Sequence, residues 1–494
     1  MKKGLCIFAG VVGSAALLIN FGSWFTGTQI EGAVKSVAQT ANLHFKNLEA
    51  SSSQRGKLEV LSIDTGFYNS TVRYRIVLEN QASGADAKPF ETVIVEHIEH
   101  GPFPWSRIKN SDLMPVMAVS NYSMQKTPST EQWFAEAKGA SPLKGSILHG
   151  YRYPLQGDIT LQPVQMSDKD YAFSFAGLSV NFSHSDNEGD LNINGEIGTS
   201  KLVLTPPAKP HFQIGFKGGT VKAKLKRTPH DFYVGKKTTV LNGVEIIGGE
   251  QHSALDFKKL RIHSLSSAKD ELMKGRDVIE VSDIKVNANL LGSVKMDMSY
   301  GDIHLPSMTK VQDIIENQLQ NLPADQQELK WTPEELQALR PVLIRFLGAN
   351  PKIAIESFSL KTPNGQGNIR LSLGLNDTLK NGYSSAPELI QMFSFVDTQL
   401  KISKPMIVDL YTIVAHLNGQ TDSRAIAEEG QRYSESFGQI VEQLKLGKVD
   451  GANIETTLNY RDGQIDAGGE KMGVEQFMRG LMLRVALCSA CKTF

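Results

Sequence analysis

Three cysteines in 494 residues leave no disulfide framework, and no four-thiolate zinc site within one chain. An excess of charge of either sign is also missing. Lys plus Arg number 52 and Asp plus Glu number 52, so no net field recruits nucleic acid. No Walker loop, G-x-S-x-G or H-E-x-x-H occurs. The sequence therefore nominates no catalytic residue, no cofactor-binding residue and no metal ligand. Beyond residue 25 no apolar run is long enough to span a bilayer, which excludes a polytopic membrane protein. What remains is ordinary: 40% hydrophobic residues, with 43 glycines that promise many turns.

One long apolar run is present. Lys2 and Lys3 precede Gly4 to Phe25, 22 residues without a charge. As a helix this run spans roughly 33 Å, close to a hydrocarbon core of about 30 Å. It is longer than the apolar region of a cleaved signal, and TGTQIEG after it offers no small-x-small cleavage site. The reading is an uncleaved single-pass anchor over residues 1–27. The two lysines place the N-terminus in the cytoplasm and the body in the periplasm of a bacterial inner membrane. Cys6 lies within the run. Cys488 and Cys491 form C-S-A-C behind the helical pattern VEQFMRGLMLRVAL, where the negative end of a helix dipole disfavours a thiolate and hence a redox role.

After the anchor, Ile30, Val34, Val37, Ala41 and Leu48 follow helical spacing, a face that packs on its own domain or on a second copy. Strands follow. Val72, Tyr74, Ile76 and Leu78 alternate with polar neighbours, as do YAFSFAGLSVNFS, TVKAKLKR and SVKMDMSY. Asn194-Gly195, Asn242-Gly243, Asn364-Gly365 and Asp462-Gly463 read as hairpin turns. From Met308 the period becomes helical. A capping box at Thr332 opens a helix that Pro341 kinks or breaks before Gly348 ends it, and further helices are expected near 387–394, 405–417 and 422–446. The fold class is α+β: an anchor over 1–27, a juxtamembrane helix and β-rich domain over 28–305, and an α+β domain over 306–494, with long antiparallel sheet throughout.

The stretch VIVEHIEHGPFPWSR places His97 and His100 in H-x-x-H spacing beside Glu96 and Glu99. On a strand the two histidines point to opposite sides, so they do not chelate. Phe103 and Trp105 are expected to pack as anchors of a rigid turn. Asp190-x-Asn192-x-Asn194-Gly195 begins like a calcium loop, but Lys201 stands where a bidentate Glu belongs. Lys222, Lys224 and Lys226 alternate with apolar residues, as on a strand protected from further pairing.

IEHGPFPWSR, with WFTGTQIE after the anchor, LKISKPM and LNYRDGQI followed by Met472, resembles the YdgA-like family of bacterial envelope proteins along essentially the whole chain. That resemblance implies location and architecture and, because the family's function is unknown, no chemistry. Two functions fit the sequence: a binding or assembly module that shields a lipid or scaffolds envelope partners, and a purely structural homo-oligomer. A hydrolase stands third. For the first, Tyr171, Phe173 and Phe175 are expected to stay open while the C-terminal helices cover Ile369, Leu371, Leu373 and Leu375.

Overall fold

In the computed structural model the described residues are 54–80, 89–151, 155–168, 171–185, 189–205, 212–248, 253–321, 333–376 and 392–487, with part of a helix between 34 and 45. The expected anchor, Cys6, Cys488 and Cys491 lie outside them. Among the described residues no helix is long and apolar enough to cross a membrane. The chain divides into two units. The first comprises Met1–Tyr233, Ile246–His252 and Gln312–Trp331; the second comprises Val234–Glu245, Ser253–Val311 and Thr332–Phe494.

The first unit is built from thirteen antiparallel strands. β1 (Gln54–Thr65), β2 (Asn69–Asn80), β3 (Phe90–His100), β4 (Val116–Gln125), β5 (Leu143–Gly150) and β6 (Leu155–Leu161) pair in sequence order. Two long hairpins then follow, and both bend. One consists of β6 and β7 (Val164–Asp168) returning as β8 (Tyr171–Phe175) and β9 (Leu178–Ser185); the other of β10 (Asp190–Ile197) and β11 (Ser200–Leu204) returning as β12 (Phe212–Phe216) and β13 (Gly219–Arg227). The bends require glycine. Gly177 and Gly218 hold φ of 102° and 78°, which a side chain resists. The two bends are stitched by Ala176 N–H to Thr199 O and Gly198 N–H to Gly177 O, both 2.8 Å.

Bending brings β7, β8 and β11 into the same core as β2–β6. Tyr171, Phe173 and Phe175 are buried, Phe173 to 2% exposure, in one cluster with Ile76, Ile98, Ile147 and Leu202. This corrects the expectation that they line an open face. The helical residues Val34, Ala41 and Phe45 join that cluster, so the helix that carries them packs on the first unit. Asn194-Gly195 is no turn either. β10 runs straight through it, with Asn194 opposite Asn181 on one side and Lys222 on the other. Two short helices, α1 (Trp105–Lys109) and α2 (Glu131–Glu136), sit in the β3–β4 and β4–β5 connections.

The remaining strands, which belong to the second unit except for Tyr233 and Ile246–Gly248, are β14 (Tyr233–Leu241), β15 (Val244–Gly248), β16 (Ser253–Phe257), β17 (Lys259–Lys269), β18 (Leu272–Val286), β19 (Asn289–His304), β20 (Lys352–Lys361), β21 (Gln366–Leu375), β22 (Phe393–Ser403), β23 (Gly447–Asp450), β24 (Asn453–Arg461), β25 (Gln464–Ala467) and β26 (Glu470–Gly473). Antiparallel pairing runs β14-β17-β18-β19-β20-β21-β22-β24, and β23 and β25 share the far side of β24. Asn364-Gly365 and Asp462-Gly463 are the hairpin turns expected of them.

The helices are α3 (Leu305–Asn321), α4 (Pro333–Gly348), α5 (Lys404–Leu417), α6 (Ser423–Gln443) and α7 (Val474–Leu487). α4 continues through Pro341 and ends at Gly348. The Asp422 carboxylate caps α6 by accepting from the Arg424 and Ala425 amides. Gly430 lets α6 approach Val408 and Tyr411 of α5. The helix expected near 387–394 is corrected in its last residues, because Phe393 already starts β22.

Candidate functional site

The buried face of β3 alternates with strict period two: Phe90, Thr92, Ile94, Glu96 and Ile98 point inward. A glutamate in that series needs partners, and its neighbours provide them. Tyr122, directly opposite on β4, donates its hydroxyl to Glu96 Oε1 at 2.6 Å, and Tyr74 on β2 donates to Oε2 at 2.8 Å. Ser120 adds a third hydrogen bond. Burial raises the Glu96 pKa above the usual carboxylate range, opposed by the bonds from Tyr122, Ser120 and Tyr74. Burial and the Glu96 carboxylate push both phenols up as well.

Ser120 Oγ also lies 3.4 Å from His149 Nε2, and burial alone lowers His149 to about 4. Ser, His and Glu are thus neighbours, but not as a nucleophile triad. The carboxylate accepts from the serine and the two phenols, and Ser120, at 0% exposure, offers no entry to a substrate. The cluster satisfies polar groups within a core.

His97 and His100 flank this series on opposite faces. His97 is exposed beside Thr71 Oγ1 at 3.1 Å. His100 closes the strand end, with Nε2 2.9 Å from Ser70 Oγ and Nδ1 3.1 Å from the Phe67 carbonyl. Among the described residues no three His, Cys, Asp or Glu side chains gather as a metal site. The Gly-Pro-Phe-Pro-Trp turn exists, but its aromatics do not anchor it. Phe103 is 52% and Trp105 64% exposed, while Pro104 is buried. Among the described residues the buried tryptophan is Trp133, whose Nε1–H reaches the Gln162 carbonyl at 3.1 Å.

The second unit carries a different feature, spread over its sheet. Ile262, Ile279, Met296, Phe358, Ile369 and Leu400 stand opposite one another on six consecutive strands. Parallel rows on the same face include Met298, Ile355 and Leu371, and Tyr300, Ile353 and Leu373. All are half-buried except Ile353, which is 38% exposed. This corrects the expectation that the C-terminal helices cover Ile369 to Leu375. α5 approaches β19, β21 and β22, with Met406 against Gly367, and α4 approaches β19, yet these side chains stay half-buried.

The opposite face is ionic: Arg261, Glu280, Lys295, Ser359, Asn368, Lys401 and Glu455 form one cross-strand row. Lys295 pairs with Glu280 at 2.9 Å and Lys401 with Glu455 at 2.8 Å. On the same face, two residues along β19 from Lys295, Asp297 is gripped by two nitrogens of Arg276, which hold that carboxyl below its ordinary range. The sheet of the second unit is thus ionic on one face and apolar but incompletely covered on the other.

The family model described as bacterial protein of unknown function, DUF945, matches residues 1–475. The chain belongs to the DUF945 family. It is 25% identical to Protein YdgA of Escherichia coli K12, over 97% of this chain and 96% of that protein. It is 22% identical to the uncharacterized protein YihF of the same organism, over 95% of this chain and 97% of that one. An uncharacterized Haemophilus influenzae protein is 20% identical over 64% of this chain and 86% of its own length. No solved structure matches.

Proposed function

We propose that this DUF945 protein is a non-enzymatic, membrane-anchored envelope protein whose second unit binds the acyl chains of a lipid on the apolar face of its sheet. One observation carries the reading: the unbroken row from Ile262 to Leu400, none of whose side chains is fully buried. Six strands about 4.8 Å apart make this row about 24 Å long. That exceeds the roughly 15 Å hydrocarbon depth of one leaflet. A homo-oligomer joined through the helix after the anchor has less support, because Val34, Ala41 and Phe45 are already spent on the first unit's core.

The location belongs to the same proposal. Lys2 and Lys3 before the 22-residue run support a cytoplasmic N-terminus and a periplasmic body. The test uses the full chain extracted in mild detergent. Native mass spectrometry should find co-purified lipid, a fluorescent fatty acid should bind saturably, and Leu371→Asp should weaken that binding without shifting the melting temperature of the first unit. A wild-type chain with no saturable uptake and no bound lipid overturns the reading.

A further inference from the structure

The first unit ends in a cluster of apolar side chains that its own core does not use. At the end where β1 turns into β2 and β3 passes to β4, Phe67 is 87% exposed, Tyr68 77%, Leu113 65%, Trp105 64%, Phe103 52% and Met114 48%. Single exposed apolar residues are common, but six at one end of one sheet are not.

The rim is not a frayed loop. His100 Nδ1 holds the Phe67 carbonyl, Ser106 N–H donates to Glu99 Oε2 at 2.7 Å, and Val116 N–H donates to the Pro102 carbonyl at 3.0 Å. Arg107 pairs with Asp112 at 2.7 Å and donates to the Met114 carbonyl at 3.2 Å. These contacts hold the segment in one conformation, with the large apolar side chains turned outward beside the exposed Lys109, Asn110, Ser111 and Asp112.

The path of the chain identifies what lies opposite. Asn42 pairs with Leu58, and Phe45 lies against Gly56, so the helix runs antiparallel to β1. Going back from Asn42 to Val34 moves about 12 Å along the helix, equivalent to about four residues of β1 towards its turn. The chain therefore enters the first unit from the rim end. Eight residues separate Val34 from Phe25, where the uncharged run stops. Even fully extended they span at most about 28 Å.

We infer that this rim inserts into the headgroup layer of the bilayer that holds residues 4–25. The inference rests on the anchor reading above. Its chemistry is that of an interfacial belt: Trp and Tyr where apolar and wet layers meet, with Lys109 held 5.6 Å above the Trp105 ring, a cation positioned for anionic headgroups. The occupant is lipid. A protein partner or a second copy over the same residues is the competing outcome.

The experiment reconstitutes the full chain into phosphatidylcholine–phosphatidylglycerol vesicles containing brominated lipid. The emission of Trp105 is obtained as the difference between the wild type and Trp105→Phe. The expected result is loss of most of that emission to the brominated acyl chains, and recovery of it in Phe67→Asp/Leu113→Asp with an unchanged melting temperature. Trp105 emission that brominated lipid leaves intact overturns the inference; if soluble quenchers also fail to reach it, protein covers the rim. Retention of the chain after carbonate washing reads the anchor separately. A washed-off chain with quenched Trp105 sinks the anchor and not the rim; a retained chain with unquenched Trp105 sinks the rim and not the anchor.

Discussion

Asn42 holds Leu58 with both ends of its side-chain amide, donating to the carbonyl at 2.9 Å and accepting from the N–H at 2.8 Å. The helix thereby supplies β1, which otherwise pairs with β2, with a fragment of a further ladder. Asn42→Ala should destabilise the first unit by about 1–2 kcal/mol. Asn42→Asp, which keeps the acceptor and loses the donor, should fall between the two. Chemical unfolding of the full chain measures this, and an Asn42→Ala curve superimposed on wild type would show the contact to be idle.

Glu96 is the acceptor for two buried phenols. Replacing it with leucine removes the acceptor that Tyr74 and Tyr122 share, a loss of roughly 1–3 kcal/mol. Glu96→Gln, which retains one oxygen, should cost less. The order Leu worse than Gln is the expected outcome in thermal melts; equal losses would mean that volume, not hydrogen bonding, governs the site.

His149 makes stability depend on pH. Unfolded, it protonates near its ordinary 6.5; folded, burial depresses it to about 4. Between these values the unfolded chain holds the extra proton. The contribution is therefore complete above pH 6.5, declines as pH falls, and levels off below about 4, a total of roughly 3 kcal/mol. Glu96, raised by burial, acts in the opposite sense: its share favours the fold in acid and is lost as pH rises. His149→Gln should flatten the slope between pH 6.5 and 4, and an unchanged slope would assign it to other groups.

Trp133→Ala should cost about 3–5 kcal/mol, because a side chain 2% exposed leaves a cavity. Phe103→Ala, at 52% exposure, should stay within about 0.5 kcal/mol. The two melting temperatures distinguish core from rim directly, and comparable losses would place Phe103 in the core after all.

Much of the strand content was legible, since Val72, Tyr74, Ile76 and Leu78 announce their own buried face. So was the antiparallel hairpin at Asn364-Gly365. Asn194-Gly195 misled because turn propensity is local, whereas β9 and β13 offer β10 a ladder on both sides. The same parity that separates His97 from His100 also puts Glu96 inward, and that consequence was missed. The larger error had a physical cause. Tyr171, Phe173 and Phe175 and the series Ile369 to Leu375 look equally apolar, and a strand's period says which side chains share a face, not whether anything lies over it. Bends at Gly177 and Gly198 decide that, by folding one set into a core. Phe103 and Trp105 misled because large aromatics usually mark burial.

The ionic row of the second unit has a consequence for folding fidelity. Arg261, Glu280, Lys295 and Lys401 stand one residue out of phase with Ile262, Ile279, Met296 and Leu400. If any strand slipped by a single position, it would thrust its charges among the hydrocarbon side chains and its hydrocarbons among the charges. Singly, exposed pairs such as Lys295–Glu280 contribute little to stability. Together they act as a frame lock, penalising every mis-set alignment of the broad, half-covered sheet and leaving one permitted phase.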